Sequence, residues 1–389
     1  MALSYANILD RVEQLLQDPT NAIFSPTELG YWMEDGLKDF SRFLPVIVEA
    51  IYHIETRTGT DTAGTATALT DTSKSQFVAT DETTQKVIHN TKDSTWAVVK
   101  NYTSSSVLVL SRDIMGSGDS YEMYNKQCAN QKQIYLGDYP AHLWIDSVEY
   151  PIGSPRNFTQ PSWNVVELEI DDSVLQDSDS TIDPPNDTRV LIRFAMPQVV
   201  SQLTAWEGEA SGAAAEAAST IDIDGMGTTE TIEVGEMFNM EDHLTTYIIT
   251  TEVTMAAGAG SIVFYPPLES AVLNNDDITF IKTTLKPNEE ALFCRLVAAK
   301  AAMSKSVIAP LKTMERALPN LDAGGFTIDE SNKGGPGTPT DYLNYANAER
   351  QMAAVYKDYR EWGEREMARV LMELERLATP RAHEEYART

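Results

Sequence analysis

Residues 247–280 have the sequence YIITTEVTMAAGAGSIVFYPPLESAVLNNDDITF, which is typical of antiparallel β structure. Runs rich in Val, Ile, Thr and Tyr alternate with clusters of Gly, Asn, Asp and Ser, the residues that bound strands at turns. We predict strands at 247–253, 261–265 and 277–281, and another at 231–234. These four strands would form one β unit near the middle of the chain.

The same alternation extends back along the chain to about Glu55. It predicts a first sheet with strands at 96–99, 106–110 and 121–124 and a turn at 115–119, and a second sheet with strands at 142–150, 163–170 and 189–194. The Ala-rich residues 209–220 are interpreted as a linker or a short helix that leads into the last β unit.

The N-terminal end of the chain is predicted to be helical. A short amphipathic helix is expected over residues 5–16. A second helix should begin after Ser25, because a capping hydroxyl, a proline at the first helical position and Glu28 together form a start signal. Pro45 should end or kink this helix, and residues 46–53 are compatible with further helix.

The C-terminal end is also predicted to be helical. The start signal recurs as Thr338-Pro339-Thr340-Asp341, and apolar residues at helical spacing follow it. They predict one helix from Pro339 to Ala378, about 60 Å long at ~1.5 Å per residue, with Gly363 as its weak point. Another helix is expected from Asn288 to about Ala309.

Two breaks are predicted between these last helices. Pro310 should interrupt the first of them. Residues 322–337 contain Gly324-Gly325 and Gly334-Gly335-Pro336-Gly337, so we predict a long loop there.

These patterns predict an α+β protein in which the N- and C-terminal segments form a helical bundle and antiparallel β domains are inserted between them. The expected boundaries are residues 1–54 for the N-terminal helices, 55–200 for an inserted β region, 201–284 for a second inserted β domain and 285–389 for the C-terminal helices that complete the helical domain.

The chain is strongly acidic, with 58 Asp and Glu against 30 Lys and Arg and a formal charge of −28. Residues 143–281 alone contain 24 acidic side chains and three basic ones. Duplex DNA is bound mainly through Lys and Arg, so this segment would repel DNA or shape a passage for it rather than grip it.

Cysteine content and hydropathy indicate a soluble protein that is made in the cytoplasm and not exported through a signal peptide. Cys128 and Cys294 are far apart and predict reduced, buried thiols, with a single disulfide as the open alternative. We expect no signal peptide and no membrane span, because no window reaches about 18 consecutive apolar residues.

Motifs for common catalytic or metal sites are missing from the sequence, and we predict no enzyme activity, metal or cofactor. Three acidic stretches could in principle bind a cation or act in acid/base chemistry, although solvated turns and faces are the plainer interpretation. They are Glu241-Asp242-His243, Asp222-Ile223-Asp224-Gly225, which we expect to be a β-turn, and the acidic residues between Asp171 and Asp187. Trp96, Trp144 and Trp163 could form a carbohydrate platform, but aromatic residues at strand positions favour the core.

Four stretches resemble those of tailed-bacteriophage head-to-tail adaptor proteins, also called connector or head-completion proteins. They are residues 27–42, residues 105–124 (within SSSVLVLSRDIMGSGDSYEMYN), residues 145–153 (IDSVEYPIG) and the stretch 247–280 quoted above. The resemblance implies a virion structural protein, assembled in the host cytoplasm, that forms a ring of twelve copies beneath the portal. Its expected partners are the portal protein, tail or neck proteins and neighbouring copies of itself, with DNA passing through unbound and no membrane involved.

Two other classes of protein stay open at this stage. One is another phage neck, tail-completion or surface-decoration protein that binds partners or host glycans. The other is a virion-associated polysaccharide hydrolase that uses paired carboxylates, although the sequence nominates no particular pair.

The predicted partner-contact residues all lie on the last helix, where they would meet the portal or a neighbouring subunit. The aromatic and apolar ones are equally compatible with a core, and the arginines with pairing along the same helix. The set is Tyr342, Tyr345, Met352, Tyr356, Tyr359, Trp362, Arg350, Arg360, Arg365 and Arg369.

Overall fold

The computed structural model describes residues 4–21, 23–137, 142–171, 175, 188–227, 229–317 and 339–378, with side chains of 305–317 and 339–356 outside the description. The chain divides into two units. A helical unit contains residues 1–46, 197–202 and 282–389, and a β unit contains residues 47–196 and 203–281.

The predicted fold class is wrong. Most of its described elements are β-strands in several sheets, including a closed six-stranded barrel, and the chain is not a helical bundle with β insertions. In the described ranges there are five helices: α1 (Tyr5–Leu15), α2 (Pro26–Phe43), α3 (Thr80–Thr83), α4 (Pro287–Ala317) and α5 (Pro339–Ala378).

The strands of the described ranges outnumber the helices, at 21. In chain order they are β1 (Val46–His53), β2 (Thr58–Thr60), β3 (Ala68–Thr70), β4 (Val87–Asn90), β5 (Thr95–Ser104), β6 (Val107–Leu110), β7 (Ser120–Tyr124), β8 (Gln133–Tyr135), β9 (Trp144–Glu149), β10 (Pro155–Arg156), β11 (Phe158–Ser162), β12 (Val165–Leu168), β13 (Arg189–Met196), β14 (Glu207–Ala210), β15 (Thr220–Asp224), β16 (Thr231–Ile232), β17 (Met237–Met240), β18 (Thr246–Thr251), β19 (Val253–Thr254), β20 (Gly260–Tyr265) and β21 (Asp277–Phe280).

Local start signals act as predicted in the helical unit. The Ser25 side chain accepts a hydrogen bond from the Glu28 backbone N–H at 3.2 Å, and Pro26 occupies the first turn of α2. α5 has the predicted bounds, from Pro339 to Ala378. The helices bury one apolar core, which includes Ile8, Val12, Leu29, Met33, Phe40, Leu292, Phe293, Leu296, Val297, Val370 and Leu374.

Two helix predictions are corrected. Residues 46–53 form strand β1 rather than more helix, because a β-branched, partly alternating segment finds a partner in β13. Helix α4 continues past Pro310 to Ala317, so the proline does not end it. The predicted loop 322–337 lies outside the described residues.

The first half of the β unit contains three sheets. One has six strands in the order β2-β7-β4-β5-β6-β3, the second has the order β1-β13-β9-β10, and the third has β11-β12-β8. Apart from the pair β1 and β13, neighbouring strands in these sheets are antiparallel, as the alternating sequence predicts. The predicted turn at 115–119 connects β6 to β7.

The second half of the β unit is a closed barrel with the strand order β14-β15-β20-β18-β17-β21. Pairing of Gly208 with Ile278 joins the first barrel strand to the last and closes it. Residues 209–220 are neither linker nor helix, because β14 and β15 enclose them and Ala214 bridges to Val272. Phe238 lies in the barrel core, with its ring 5.4 Å from those of Tyr247, Phe264 and Phe280.

The outer surface of the barrel is anionic. Residues 203–281 contain 14 Asp and Glu and no Lys or Arg. Along β14, Glu207 and Glu209 are exposed while the residues after each of them are buried, and Asp222 and Asp277 alternate with buried isoleucines in the same way. Strand periodicity therefore places these carboxylates outside and the apolar side chains inside.

Candidate partner-contact surface

Helices α4 and α5 pack against each other in antiparallel orientation. Arg295 pairs with Glu366 and, at 3.6 Å, with Glu373, whereas residues further along α4 contact Gly363, which comes earlier on α5. An ideal Cβ at Gly363 would lie 2.9 Å from Met303 Cγ and 3.0 Å from the carbonyl oxygen of Ala299. This glycine is therefore a point of close approach between the helices rather than a weak point.

Tyr359 and Trp362, two of the predicted contact residues, pack inside the helical unit. The Tyr359 hydroxyl donates a hydrogen bond to the carbonyl oxygen of Leu16 at 2.9 Å, and its ring meets Phe24 edge-on at 5.7 Å. Trp362 is half-buried against the same core. Both side chains thus stabilise the unit itself. Tyr342, Tyr345, Arg350, Met352 and Tyr356 lie on α5, but their side chains are outside the description.

The three described arginines of the predicted set lie on the exposed side of α5. Each has a partner on its own helix: Arg360 Nε donates to Glu364 at 2.8 Å, Arg365 Nε to the Glu361 carbonyl at 3.0 Å, and Arg369 pairs with Glu366 at 3.5 Å. Exposed pairs of this kind contribute little stability, because solvent screens the charges. These arginines stay available to a partner, since the exposed pairs break at low cost.

Met372 lies on the same exposed side, although it is not among the predicted contact residues. It is 63% exposed, more than any other large apolar side chain described on α5. Met372 lies four residues after Ala368 and four before Arg376, and both of these residues are exposed. Helical periodicity therefore predicts that Met372 lies on the same side of the helix as they do. We define the outer face of α5 as Arg365, Ala368, Arg369, Met372 and Arg376.

A buried ionic cluster in the β unit was also missed. Arg57 donates to both Glu55 and Asp81, and Lys86 lies 3.0 Å from Glu55. Burial alone would raise the pKa of Glu55, but the charges and hydrogen bonds of Lys86 and Arg57 lower it to about 2. Because every charge here has an opposite partner, the cluster is a structural tie.

The segment Glu241-Asp242-His243 lies in the turn between β17 and β18. His243 Nδ1 is 2.6 Å from the Tyr247 hydroxyl, and Nε2 is 2.9 Å from Ser270 Oγ. Burial lowers the pKa of His243, although nearby carboxylates oppose the shift. The imidazole therefore ties this turn to the loop that carries Ser270.

Cation sites predicted as alternatives gain no support from the geometry. Asp222 and Asp224 belong to strand β15 rather than a β-turn, with Asp222 opposite Ser261. Within the described ranges, no group of three or more His, Cys, Asp and Glu is placed to hold a metal ion. Of the acidic residues between Asp171 and Asp187, only Asp171 is described.

No described helix has the length and apolar character needed to cross a bilayer.

The three tryptophans predicted to lie in the core differ in exposure. Trp96 stacks on His89 at 4.1 Å and is half-buried. Trp144 is 45% exposed and Trp163 is 58% exposed, so the core prediction is wrong for these two. Trp163 lies at the turn between β11 and β12, and the neighbouring Ser162 and Asn164 were a sequence signal for that turn.

Two polar cavities lie on the surface of the β unit. One of about 500 Å³ is lined by Lys132, Arg156, Glu167 and Asp171 among others, and one of about 480 Å³ by Asp71, Lys74, Tyr121 and Glu122 among others. Both mix acidic and basic side chains, so neither favours one sign of ligand charge.

Comparisons with known proteins give no relative from which a site could be transferred. The chain matches no protein-family model, no curated protein sequence and no solved structure.

Proposed function

We propose that this chain is a structural protein of a tailed-phage virion: a head-to-tail adaptor that forms a ring with copies of itself beneath the portal. In this role it joins the capsid to the tail, contacts the portal protein and the neck or tail proteins, and lets DNA pass without sequence-specific binding.

The observation that carries the proposal is the length and surface of α5. Its 40 residues correspond to about 60 Å, roughly twice the span of a 20-residue helix across a small domain. From Tyr359 to Leu374 one side of it packs into the helical unit, while its outer face exposes Met372 between arginines. A long helix with one packed and one exposed side offers neighbouring copies a continuous contact surface.

The charge of the barrel supports the same function. Its outer carboxylates have no Lys or Arg within residues 203–281 to neutralise them. A surface of this kind repels the DNA backbone, so it would keep a passing duplex from adhering. This support is secondary, because the same charge also suits a barrel that faces solvent.

The test is the assembly state of the full chain, measured by negative-stain electron microscopy and light scattering, alone and with portal rings encoded by the same genome. We expect rings, or an added layer on the portal. Met372→Glu should abolish them because it places a charge in an apolar contact, while the far-UV circular dichroism spectrum stays unchanged.

Leu273→Glu is the matched control. Leu273 is 66% exposed and belongs to the β unit, so this substitution places the same charge in another exposed apolar side chain that is not part of α5. Ring formation should survive this substitution. Monomers that ignore the portal in every mixture would refute the adaptor function, and rings lost in Leu273→Glu but kept in Met372→Glu would refute the contact through α5.

A further inference from the structure

The turn between β11 and β12 presents an exposed tryptophan in a fixed orientation. One face of the Trp163 ring stacks on the His142 imidazole, with centroids 4.2 Å apart and planes 19° apart. His142 is itself buried and meets the edge of Phe194 at 5.5 Å. With one face covered, an exposure of 58% requires that much of the opposite face be open to solvent.

The side chains that hydrogen-bond at this turn are polar but uncharged. Gln160 Nε2 donates to the Trp163 carbonyl oxygen at 2.9 Å, Ser162 Oγ donates to Asn164 Oδ1 at 3.0 Å, and Asn164 Nδ2 donates to Gln127 Oε1 at 2.8 Å. Gln127, Gln160 and Ser162 are exposed. The turn therefore combines an open indole face with amide and hydroxyl groups that both donate and accept hydrogen bonds.

The turn itself is uncharged and lies between Arg156 and Glu167 in the sequence. Residues 157–166 contain no Asp, Glu, Lys or Arg, whereas charged residues make up 23% of the whole sequence. A site for a nucleic acid or another polyanion would need Lys or Arg, and a site for a cationic partner would need carboxylates. The chemistry of this turn fits a neutral ligand with an apolar face and many hydroxyls.

We propose that the turn around Trp163 binds a neutral carbohydrate. The C–H face of a sugar ring lies on the open face of the indole, and the hydroxyls at the ring edge bond to the amides of Gln160, Asn164 and Gln127. Because the stack on His142 fixes the indole before binding, little side-chain freedom is lost when the sugar docks. This site is independent of ring assembly and of the outer face of α5.

The test is affinity electrophoresis of the full chain through native gels that contain neutral polysaccharides of glucose or N-acetylglucosamine, together with a glycan array. We expect retardation by at least one polysaccharide. Trp163→Ala should weaken binding at least tenfold, and Trp163→Tyr should retain a measurable part of it, because tyrosine keeps a flat aromatic face.

Tyr31→Ala is the control for general adhesion through exposed aromatic rings, since Tyr31 is 65% exposed on the helical unit. It should bind like the wild type. No binding to any neutral glycan at millimolar concentration would overturn the proposal. Glycan binding by Trp163→Ala equal to that of the wild type would also overturn it. If Trp163→Ala changed the oligomeric state but not glycan binding, the turn would be a protein contact and the proposal would be wrong.

Discussion

Replacing Gly363 with alanine tests the close approach of the two long helices. In an exposed helix this change stabilises, because alanine is the better helix former by about 1 kcal/mol. Here the new methyl group would lie 2.9 Å from Met303 Cγ and 3.0 Å from the Ala299 carbonyl oxygen, both inside van der Waals contact. The carbonyl belongs to the α4 backbone, so relief requires the helices to move apart.

The two terms have opposite signs, and their sizes decide the outcome. Overpacking a close contact costs about 1–3 kcal/mol. After the gain in helix propensity, we expect a net loss of up to about 2 kcal/mol in the free energy of unfolding. For a unit of this size that corresponds to a melting temperature up to roughly 8 °C lower. Thermal unfolding followed by circular dichroism at a helix-sensitive wavelength measures it.

Gly30→Ala is the matched control. Gly30 also lies inside a helix, α2, but its added methyl group would meet the Tyr5 hydroxyl at 2.8 Å, at the far end of a side chain that can rotate away. We expect this variant to be as stable as the wild type or more so. A melting temperature that rises in Gly363→Ala as it does in Gly30→Ala would refute the argument that α4 and α5 touch at this glycine.

Three further predictions concern single side chains. Folding lowers the pKa of Glu55 from 4.5 to about 2, so the stability that its charged form contributes should be complete above pH 4.5 and be lost as the pH falls toward 2. Urea unfolding at several pH values should show this loss. Glu55→Gln should make the free energy of unfolding depend less on pH over the same range. Burial raises the pKa of Cys128 to about 12 and that of Cys294 to about 11. Neither thiol should therefore react with Ellman's reagent at pH 8 until urea unfolds the chain. A fast reaction of the folded protein would contradict the burial of these thiols. Tyr359→Phe removes the hydrogen bond to Leu16 and should cost about 1 kcal/mol in unfolding free energy, whereas an unchanged value would mean that water replaces the bond.

Local signals in the sequence located many elements but misjudged their proportions. The cap at Ser25 and the start at Pro339 placed two helices, because a helix is stabilised by residues near one another in the chain. The predicted fold class was wrong because it treated the helices at the two ends of the chain as the main domain and the β structure as insertions into it. Most of the described elements are instead strands, and their stability comes from strand pairs distant in sequence.

The candidate surfaces show the same limit. Sequence periodicity identified α5 and its arginines, but it could not separate Tyr359, which lies in the core, from residues that face outward, because that depends on where α1 and α4 pack. It also assigned Trp163 to a core, since a strand pattern alone does not show where a turn exposes one residue to solvent.

The sequence by itself determined the acidic charge, the alternating strands and the starts of α2 and α5, because these depend on composition and on neighbours within a few residues. Only the tertiary structure decided that residues 207–280 close into a barrel, that Gly363 allows two helices to touch and that Trp163 stacks on His142. Each of these is a contact between segments far apart in the chain, and its free energy depends on packing geometry that no local pattern specifies.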